Sequence, residues 1–259
     1  MIVVCGEALI DLVPASSGAP DLLAPRLGGG PFNTAVALGR LGTPTSFLGR
    51  LSTDGFGDRL RTALSTAGVD LRLVAEGDEP TPLAVVQLSA AREATYRFYV
   101  DGTADRLLTD SDIPDPLPAE ALAYHFGTLS LVTEPGANTL ERVMRTARGA
   151  GKVIALDPNV RPAFLPDRAE YRARLDVWFA HADIIKVSAA DLGWLYPGER
   201  SAAVVDRWLG RGVKLAVVTD GATGAIATGA PGEITVPAPV VKVVDTIGAG
   251  DAFNAGLMA

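Results

Sequence analysis

Short apolar, β-branched runs alternate along most of this chain with stretches whose apolar residues recur every three or four positions. Residues 2–4 read as a buried strand, with 7–13 as its continuation or a second strand. The spacing predicts a helix over 33–41, closed by Gly42, then a strand over 45–48. Phe56, Leu60, Leu64 and Ala67 mark one face of a helix that stops at Gly68. The texture then changes. Residues 82–88 and 94–100 look like two strands joined by a short polar turn, a hairpin with no helix between. After Asp112 the strand–helix alternation returns, with strands at 123–126 and 153–156. Leu140, Val143, Met144 and Ala147 mark one helix, and Tyr171, Leu175 and Trp178 the next. Further strands are expected at 184–187, 215–219, 225–228, 234–236 and 240–244.

Strands separated by helical patterns imply an α/β fold, with a mostly parallel sheet flanked by helices on both faces. The hairpin does not fit that alternation. With strand 8–13 it is expected to form a small β appendage over one end of the sheet. The expected division is an α/β core of residues 1–7, 30–80 and 110–259, with the appendage at 8–29 and 81–109. Ligands of such sheets bind beyond the carboxyl ends of the strands. Asp157, Lys186, Thr219 and Asp245 lie at or near predicted strand ends and are expected to converge there.

Composition narrows the function classes. The chain has 259 residues, 48% of them hydrophobic, and a net charge of −7. No Lys/Arg-rich stripe appears, so neither nucleic acid nor an anionic membrane is an expected partner. The single cysteine, Cys5, reads as a small buried hydrophobe. Two histidines, His125 and His181, argue against a His-rich metal site and against most Ser-His-Asp hydrolases. The N-terminus enters a strand without a basic segment, and no apolar run reaches membrane-spanning length, so a cytoplasmic location is expected.

The segment Val244-Asp245-Thr246-Ile247-Gly248-Ala249-Gly250-Asp251-Ala252-Phe253 carries the strongest chemical signal. An expected strand runs into a Gly-Ala-Gly turn, and Asp251 sits where a helix would begin. Helix N-termini present unpaired N–H groups that attract anions, and glycines let the backbone approach a phosphate. An ionised carboxylate beside such an anion hole can act as a general base toward a hydroxyl. That is the equipment for moving a phosphoryl group onto an alcohol. A second glycine cluster, Gly28-Gly29-Gly30-Pro31-Phe32-Asn33, precedes a helix, and Asn33 offers both a donor and an acceptor to hydroxyls. Asp11 interrupts an apolar strand. It either faces solvent or takes neighbouring hydroxyls of a polar ligand such as a sugar.

The glycine cluster with Asn33, followed much later by Asp245-Thr246-(x)-Gly248-Ala249-Gly250-Asp251, resembles the signature pair of the PfkB (ribokinase-like) carbohydrate kinases. The resemblance spans essentially the whole chain. Gly6-Glu7-Ala8-Leu9-Ile10-Asp11, Asp101-Gly102-Thr103-Ala104-Asp105-Arg106-Leu107-Leu108, Phe126-Gly127-Thr128-Leu129-Ser130-Leu131 and Asp157-Pro158-Asn159-Val160-Arg161 are similar to the fructokinase branch. The resemblance implies a ribokinase-like fold whose β appendage is a lid over the sugar. It implies ATP and Mg²⁺, with a monovalent cation such as K⁺ in some members, and a homodimer through the lid. Asp251 would be the base, and the N–H groups of Gly248, Ala249, Gly250 and Asp251 would hold developing charge. Asp11, Gly29, Gly30, Asn33, Arg97, Tyr99 and Arg161 are the expected sugar contacts. Lys186, Ser188, Thr219, Gly221, Gly224, Gly248 and Gly250 are expected on the nucleotide phosphates, Asp191 on the metal, and Asp245 at the monovalent cation.

Two departures from the family pattern qualify this. Ser188 and Asp191 replace the Asn and Glu of an Asn-(x)2-Glu motif that organises Mg²⁺. An Arg common on the hairpin strand is replaced in Phe98-Tyr99-Val100, which disfavours an acidic sugar. Family members usually continue with further helices near the adenine, whereas this sequence stops at Ala259, so adenine contacts are not assigned. The expected activity is transfer of the γ-phosphoryl group of ATP to a hydroxyl of a ketohexose, D-fructose foremost. The alternatives are 2-keto-3-deoxygluconate, ribose or a nucleoside as acceptor, and a catalytically weak sugar- or nucleotide-binding protein. No Gly-(x)4-Gly-Lys-Ser/Thr loop occurs, and Gly-x-Gly-x-x-Gly is missing after the first strand.

Overall fold

The computed structural model describes all residues except 16–21, 89–93, 165–166 and 244. In chain order its strands are β1 (Ile2–Cys5), β2 (Leu9–Pro14), β3 (Leu23–Gly28), β4 (Thr45–Ser52), β5 (Val74–Gly77), β6 (Leu83–Leu88), β7 (Ala94–Tyr99), β8 (Ala123–Gly127), β9 (Val153–Asp157), β10 (Ile184–Ser188), β11 (Leu215–Asp220), β12 (Gly224–Gly229) and β13 (Gly232–Val236). The helices are α1 (Gly30–Arg40), α2 (Gly55–Thr66), α3 (Gly136–Gly149), α4 (Arg168–Phe179), α5 (Ala189–Leu195), α6 (Ser201–Leu209) and α7 (Ala249–Met258).

One sheet has the order β13-β12-β11-β10-β9-β8-β1-β4-β5. From β5 to β11 every pairing is parallel, with Ile2 of β1 opposite Thr45 on one side and Ala123 on the other. β12 and β13 add an antiparallel edge. Alternate β1 side chains enter different layers, as strand geometry requires. Val3 and Cys5 join one layer with Phe126, Trp178 and Ile185; Ile2 and Val4 join the other with Phe47, Leu38, Leu60 and Ala255. Cys5 is fully buried, as a small hydrophobe would be. Helices α3, α4, α5 and α6 supply the first layer, and α1, α2 and α7 the second. Fully burying Trp178 and Trp208 stabilises the first layer by roughly 2–3 kcal/mol per residue.

Local chemistry starts several helices where the sheet needs them. Asp54 accepts the N–H groups of Phe56 and Gly57 at 2.9 and 2.8 Å to cap α2. Asp167 does the same for Ala169 and Glu170 at α4, at 2.8 and 3.0 Å. Helix α1 begins at Gly30 with a proline in its first turn, three residues before the expected start at 33. Helices α5 and α6 are too short to show a clear periodicity, and the sequence pattern does not resolve them.

A second, four-stranded sheet has the order β3-β2-β6-β7. β2 pairs antiparallel with β3 and parallel with β6, and β6 forms a hairpin with β7. Edge strand β3 contains Pro25, which an edge tolerates and which hid this strand in the sequence.

The strand expected at 240–244 does not form. Residues 240–243 are irregular and largely exposed, and Val244 lies outside the described residues. Pro237 and Pro239 remove ladder donors immediately after β13, so this apolar run pairs with nothing. Among the described residues, no helix is long and apolar enough to cross a membrane.

Candidate active site

Two cavities, of about 490 and 580 Å³, lie at the carboxyl ends of the parallel strands. They share Asn159, Arg161, Lys186 and Gly250. The first is closed on one side by the small sheet, through Leu9, Asp11, Tyr96 and Phe98, and on the other by Gly29, Gly30 and Asn33 at the start of α1. The second runs past Ser188, Asp191, Thr219, Gly221 and Gly224 toward the β12–β13 edge.

The start of α7 stands at the junction. Gly248 is the residue before the helix and has φ 76°, a left-handed conformation that favours glycine. The N–H of Ala249 donates to the carbonyl of Thr246 at 3.2 Å. Among the described residues, the N–H groups of Gly248, Gly250 and Asp251 have no protein acceptor and are available to a ligand at this helix start. A Cβ on Gly250 would lie 3.0 Å from Lys186 Nζ, so glycine there lets the ammonium reach the helix end.

Asp251 projects into the first cavity and is almost fully buried. Its Oδ2 accepts from Asn33 Nδ2 at 2.8 Å. Burial pushes its pKa up to about 6, the bond from Asn33 opposes that rise, and nearby Asp157 adds to it. The carboxyl is therefore mostly ionised at neutral pH and basic enough to accept a proton. Behind it, Lys186 Nζ lies 2.9 Å from Asp157 Oδ2, both buried. Asn254, one turn further along α7, donates to the same oxygen at 2.7 Å. Lys186 sits in the middle of β10 rather than at its end, and its long side chain reaches the cavity rim.

Arg161 donates through Nη1 to the carbonyl and side-chain oxygens of Asn159 at 3.1 and 2.7 Å, and to the Val160 carbonyl at 3.0 Å. These contacts hold the guanidinium across both cavities. Burial raises the Asp11 pKa to about 6, and the charge of Arg161 pulls it back down. Ser188 caps α5 by accepting the N–H of Asp191 at 3.0 Å. Burial raises the Asp191 pKa as well.

Most residues expected from the sequence gather here: Asp11, Gly29, Gly30, Asn33, Arg161 and Asp251 around the first cavity, and Lys186, Ser188, Asp191, Thr219, Gly221, Gly224 and Ala249 around the second. Gly248 faces the first cavity and Gly250 both. Three residues depart from expectation. Arg97 and Tyr99 lie on the opposite face of β7 and are exposed; Tyr96 and Phe98 line the cavity instead. Strand side chains alternate, so a one-residue error in phase exchanges the faces. Asp245 follows an irregular segment rather than a strand. It lines neither cavity, and its carboxylate accepts the N–H of Ile247 at 2.9 Å within its own turn.

Glu7, Thr128, Asn159 and Asn254 escaped the sequence reading as site residues. Glu7 had a visible signal, an acid between an apolar strand and an apolar continuation. Asn254 had none, since its role depends on contact with Asp157.

Among the described residues, no group of three or more His, Cys, Asp or Glu side chains gathers to cage a metal. A divalent ion held by one carboxylate, substrate phosphates and water is the kind such a site accommodates, and Asp191 offers that carboxylate in the second cavity.

The sequence model described as "pfkB family carbohydrate kinase" matches residues 1–259. A fructokinase from Rhizobium leguminosarum bv. trifolii is 42% identical over 260 residues, covering 100% of this chain and 79% of the relative. Fructokinase-1 of Oryza sativa subsp. japonica is 37% identical, covering 100% of this chain and 82% of its own length. Among solved structures, fructokinase with bound ATP from Xylella fastidiosa superposes with TM-score 0.91 at 31% identity, covering 99% of this chain and 80% of that one. Aminoimidazole riboside kinase from Salmonella enterica, complexed with aminoimidazole riboside and an ATP analogue, gives TM-score 0.87 at 29% identity, with 99% and 83% covered.

Proposed function

The chain belongs to the pfkB family of carbohydrate kinases, and on that premise we propose that it transfers the γ-phosphoryl group of ATP to a hydroxyl of a ketohexose, D-fructose foremost. The observation that carries this reading is the meeting of two cavities at Asn159, Arg161, Lys186 and Gly250, with the Asp251 carboxylate on one side of the junction. Relatives named fructokinase support the choice of sugar.

The sugar occupies the first cavity, with its hydroxyls on Asp11, Asn33 and the backbone of Gly29 and Gly30. Asp251 takes the proton from the attacking hydroxyl as that oxygen bonds to the γ-phosphorus. The bond from the γ-phosphorus to the bridging oxygen breaks, and ADP leaves with that oxygen's electrons. The N–H groups of Gly250 and Asp251, with Lys186 and Arg161, stabilise the charge on the phosphoryl oxygens in flight. Asp11 and Asp251 face the same cavity, so a substrate carboxylate would meet like charges there, which favours a neutral sugar.

ATP lies along the second cavity, its phosphates toward Lys186, Ser188, Thr219, Gly221 and Gly224. Mg²⁺ would be held beside Asp191 and would neutralise phosphate charge. A monovalent cation would use the carbonyls of Asp245 and Ile247, which accept no N–H among the described residues. The small sheet acts as a lid that excludes water, a competing acceptor, and its outer face joins two copies in a homodimer.

The test is ADP release from Mg-ATP with D-fructose, D-ribose and 2-keto-3-deoxygluconate, with Asp251→Ala alongside. D-Fructose should give the highest kcat/KM, and the variant should lose roughly 10²–10⁴-fold of kcat. A higher kcat/KM on another sugar replaces the acceptor, and no turnover on any sugar rejects the kinase.

A further inference from the structure

Glu7 is a buried carboxyl with no Lys or Arg ion-pair partner among the described residues. It follows β1 and lines the first cavity. Both of its oxygens accept main-chain N–H groups from other parts of the chain. Oε1 accepts from Gly30, the first residue of α1, at 3.3 Å. Oε2 accepts from the N–H of Ser130 at 3.1 Å and lies 2.7 Å from the Ser130 hydroxyl. Ser130 belongs to the 3-10 turn Thr128–Leu131 that follows β8.

These two segments form the floor of the cavity. Gly29, Gly30 and Asn33 come from the first, and Thr128 and Leu129 from the second. A cross-brace between them is costly to build from a carboxyl, because burial penalises its charge. Burial raises the Glu7 pKa to about 7 against the hydrogen bonds from Ser130, and the charge of Asp105 adds to the rise. Burial raises the Tyr171 pKa, and the Glu7 charge adds to that rise. An apolar side chain would fill this space without that cost but would leave two buried N–H groups without acceptors.

The Ser130 hydroxyl has a second short contact, 2.6 Å to the Gly127 carbonyl. A hydroxyl donates one proton, so the two contacts cannot both be its donations. With Glu7 ionised, the hydroxyl donates to the carboxylate. With Glu7 protonated, the carboxyl donates to the hydroxyl, which then donates to Gly127. In both states the carboxyl oxygens remain near the two N–H groups, so the brace spans the change.

We infer that Glu7 is a positioning residue that clamps the α1 start to the turn after β8 and thereby sets sugar affinity, without touching the phosphoryl transfer itself. The link to sugar rests on the kinase reading; the clamp does not.

The experiment compares wild type with Glu7→Gln and Ser130→Ala by two independent readouts. Amide hydrogen exchange of the apo protein reads the clamp directly. In Glu7→Gln, exchange should quicken in segments 28–33 and 127–131, while the strands of the large sheet keep wild-type protection. Gln places an NH₂ against one of the two N–H groups and so can brace only one of them. Steady-state kinetics then read the consequence, using whichever sugar wild type phosphorylates best. KM for sugar should rise about tenfold in Glu7→Gln and about threefold in Ser130→Ala, with kcat and KM for ATP within about twofold. Unchanged exchange in both segments overturns the clamp. Faster exchange with unchanged sugar KM, or an equal fall in kcat, overturns the link to affinity. Should Glu7→Gln not fold, Ser130→Ala decides by the same two criteria. If wild type phosphorylates no sugar, the kinase reading fails, while the exchange data still decide the clamp.

Discussion

Asn33 Nδ2 donates to Asp251 Oδ2 at 2.8 Å, joining the first turn of α1 to the first turn of α7 across 218 residues of sequence. The bond fixes the rotation of the carboxylate and opposes the burial that raises its pKa to about 6.

Removing that bond should therefore change both orientation and acidity. Base catalysis needs the ionised carboxylate, so kcat/KM should fall as pH drops below about 6. In Asn33→Ala the stabilisation of the charged form is lost, so the acid limb should move to higher pH, and kcat at its plateau should fall by roughly 10–100-fold. A pH–rate profile of wild type and variant checks both effects.

Stability should follow the opposite trend with pH. Burial raises Asp11, Asp105 and Asp251 to about 6, and Glu7 to about 7. These groups hold protons more tightly folded than unfolded, so the folded state loses stability as pH rises from about 4 to 7. At the acid end, burial of Asp54 is outweighed by hydrogen bonds from Thr81 and Gly57, which hold it at about 2. Its contribution is lost as pH falls from about 4 toward 2. Thermal unfolding should show the highest Tm near pH 4, roughly 5 °C above the value at pH 8. A Tm that climbs from pH 5 to 8 contradicts the burial assigned to these carboxyls.

Two glycines should respond in opposite ways to the same added methyl group. Gly250→Ala pushes a Cβ to 3.0 Å from Lys186 Nζ and should lower kcat about tenfold or more. Gly193, exposed in α5, has open space around its Cβ position, so Gly193→Ala should stabilise the fold by about 0.5–1 kcal/mol with activity unchanged. Denaturant melts and initial rates on the two variants separate a steric effect at the site from a general effect on helices.

The phase of β7 can be tested by neighbours in sequence. Phe98 lines the first cavity and packs against Phe164 with ring centroids 4.7 Å apart, whereas Arg97 is exposed on the other face. Phe98→Ala should raise KM for sugar about tenfold, and Arg97→Ala should leave it within about twofold. Equal effects from both variants would contradict the facing described above.

The alternation of strands and helices, and the hairpin that breaks it, were legible because apolar periodicity records which face of each element is buried. The glycine turn into α7 was legible too, since Gly248, Gly250 and Asp251 lie together at one helix start. Features that depend on partners were not. Residues 240–243 have the composition of a strand, and only the lack of a neighbour decides otherwise. Arg97 and Tyr99 enter the expected sugar site through the family resemblance, and the alternation of β7 puts Tyr96 and Phe98 on the cavity face instead. Glu7 and Asn254 act through contacts with Ser130, Gly30 and Asp157, which only the folded chain brings near.

The dependence of the Asp251 carboxylate on Asn33 has a bearing on biosynthesis. A ribosome releases α1 before α7, so the nascent chain carries Asn33 through the synthesis of 218 further residues before its partner exists. The central sheet can assemble progressively from strands already extruded, but that intermediate lacks the Asp251 carboxylate. The Asn33–Asp251 bond closes only when α7 docks on the layer that α1 and α2 build.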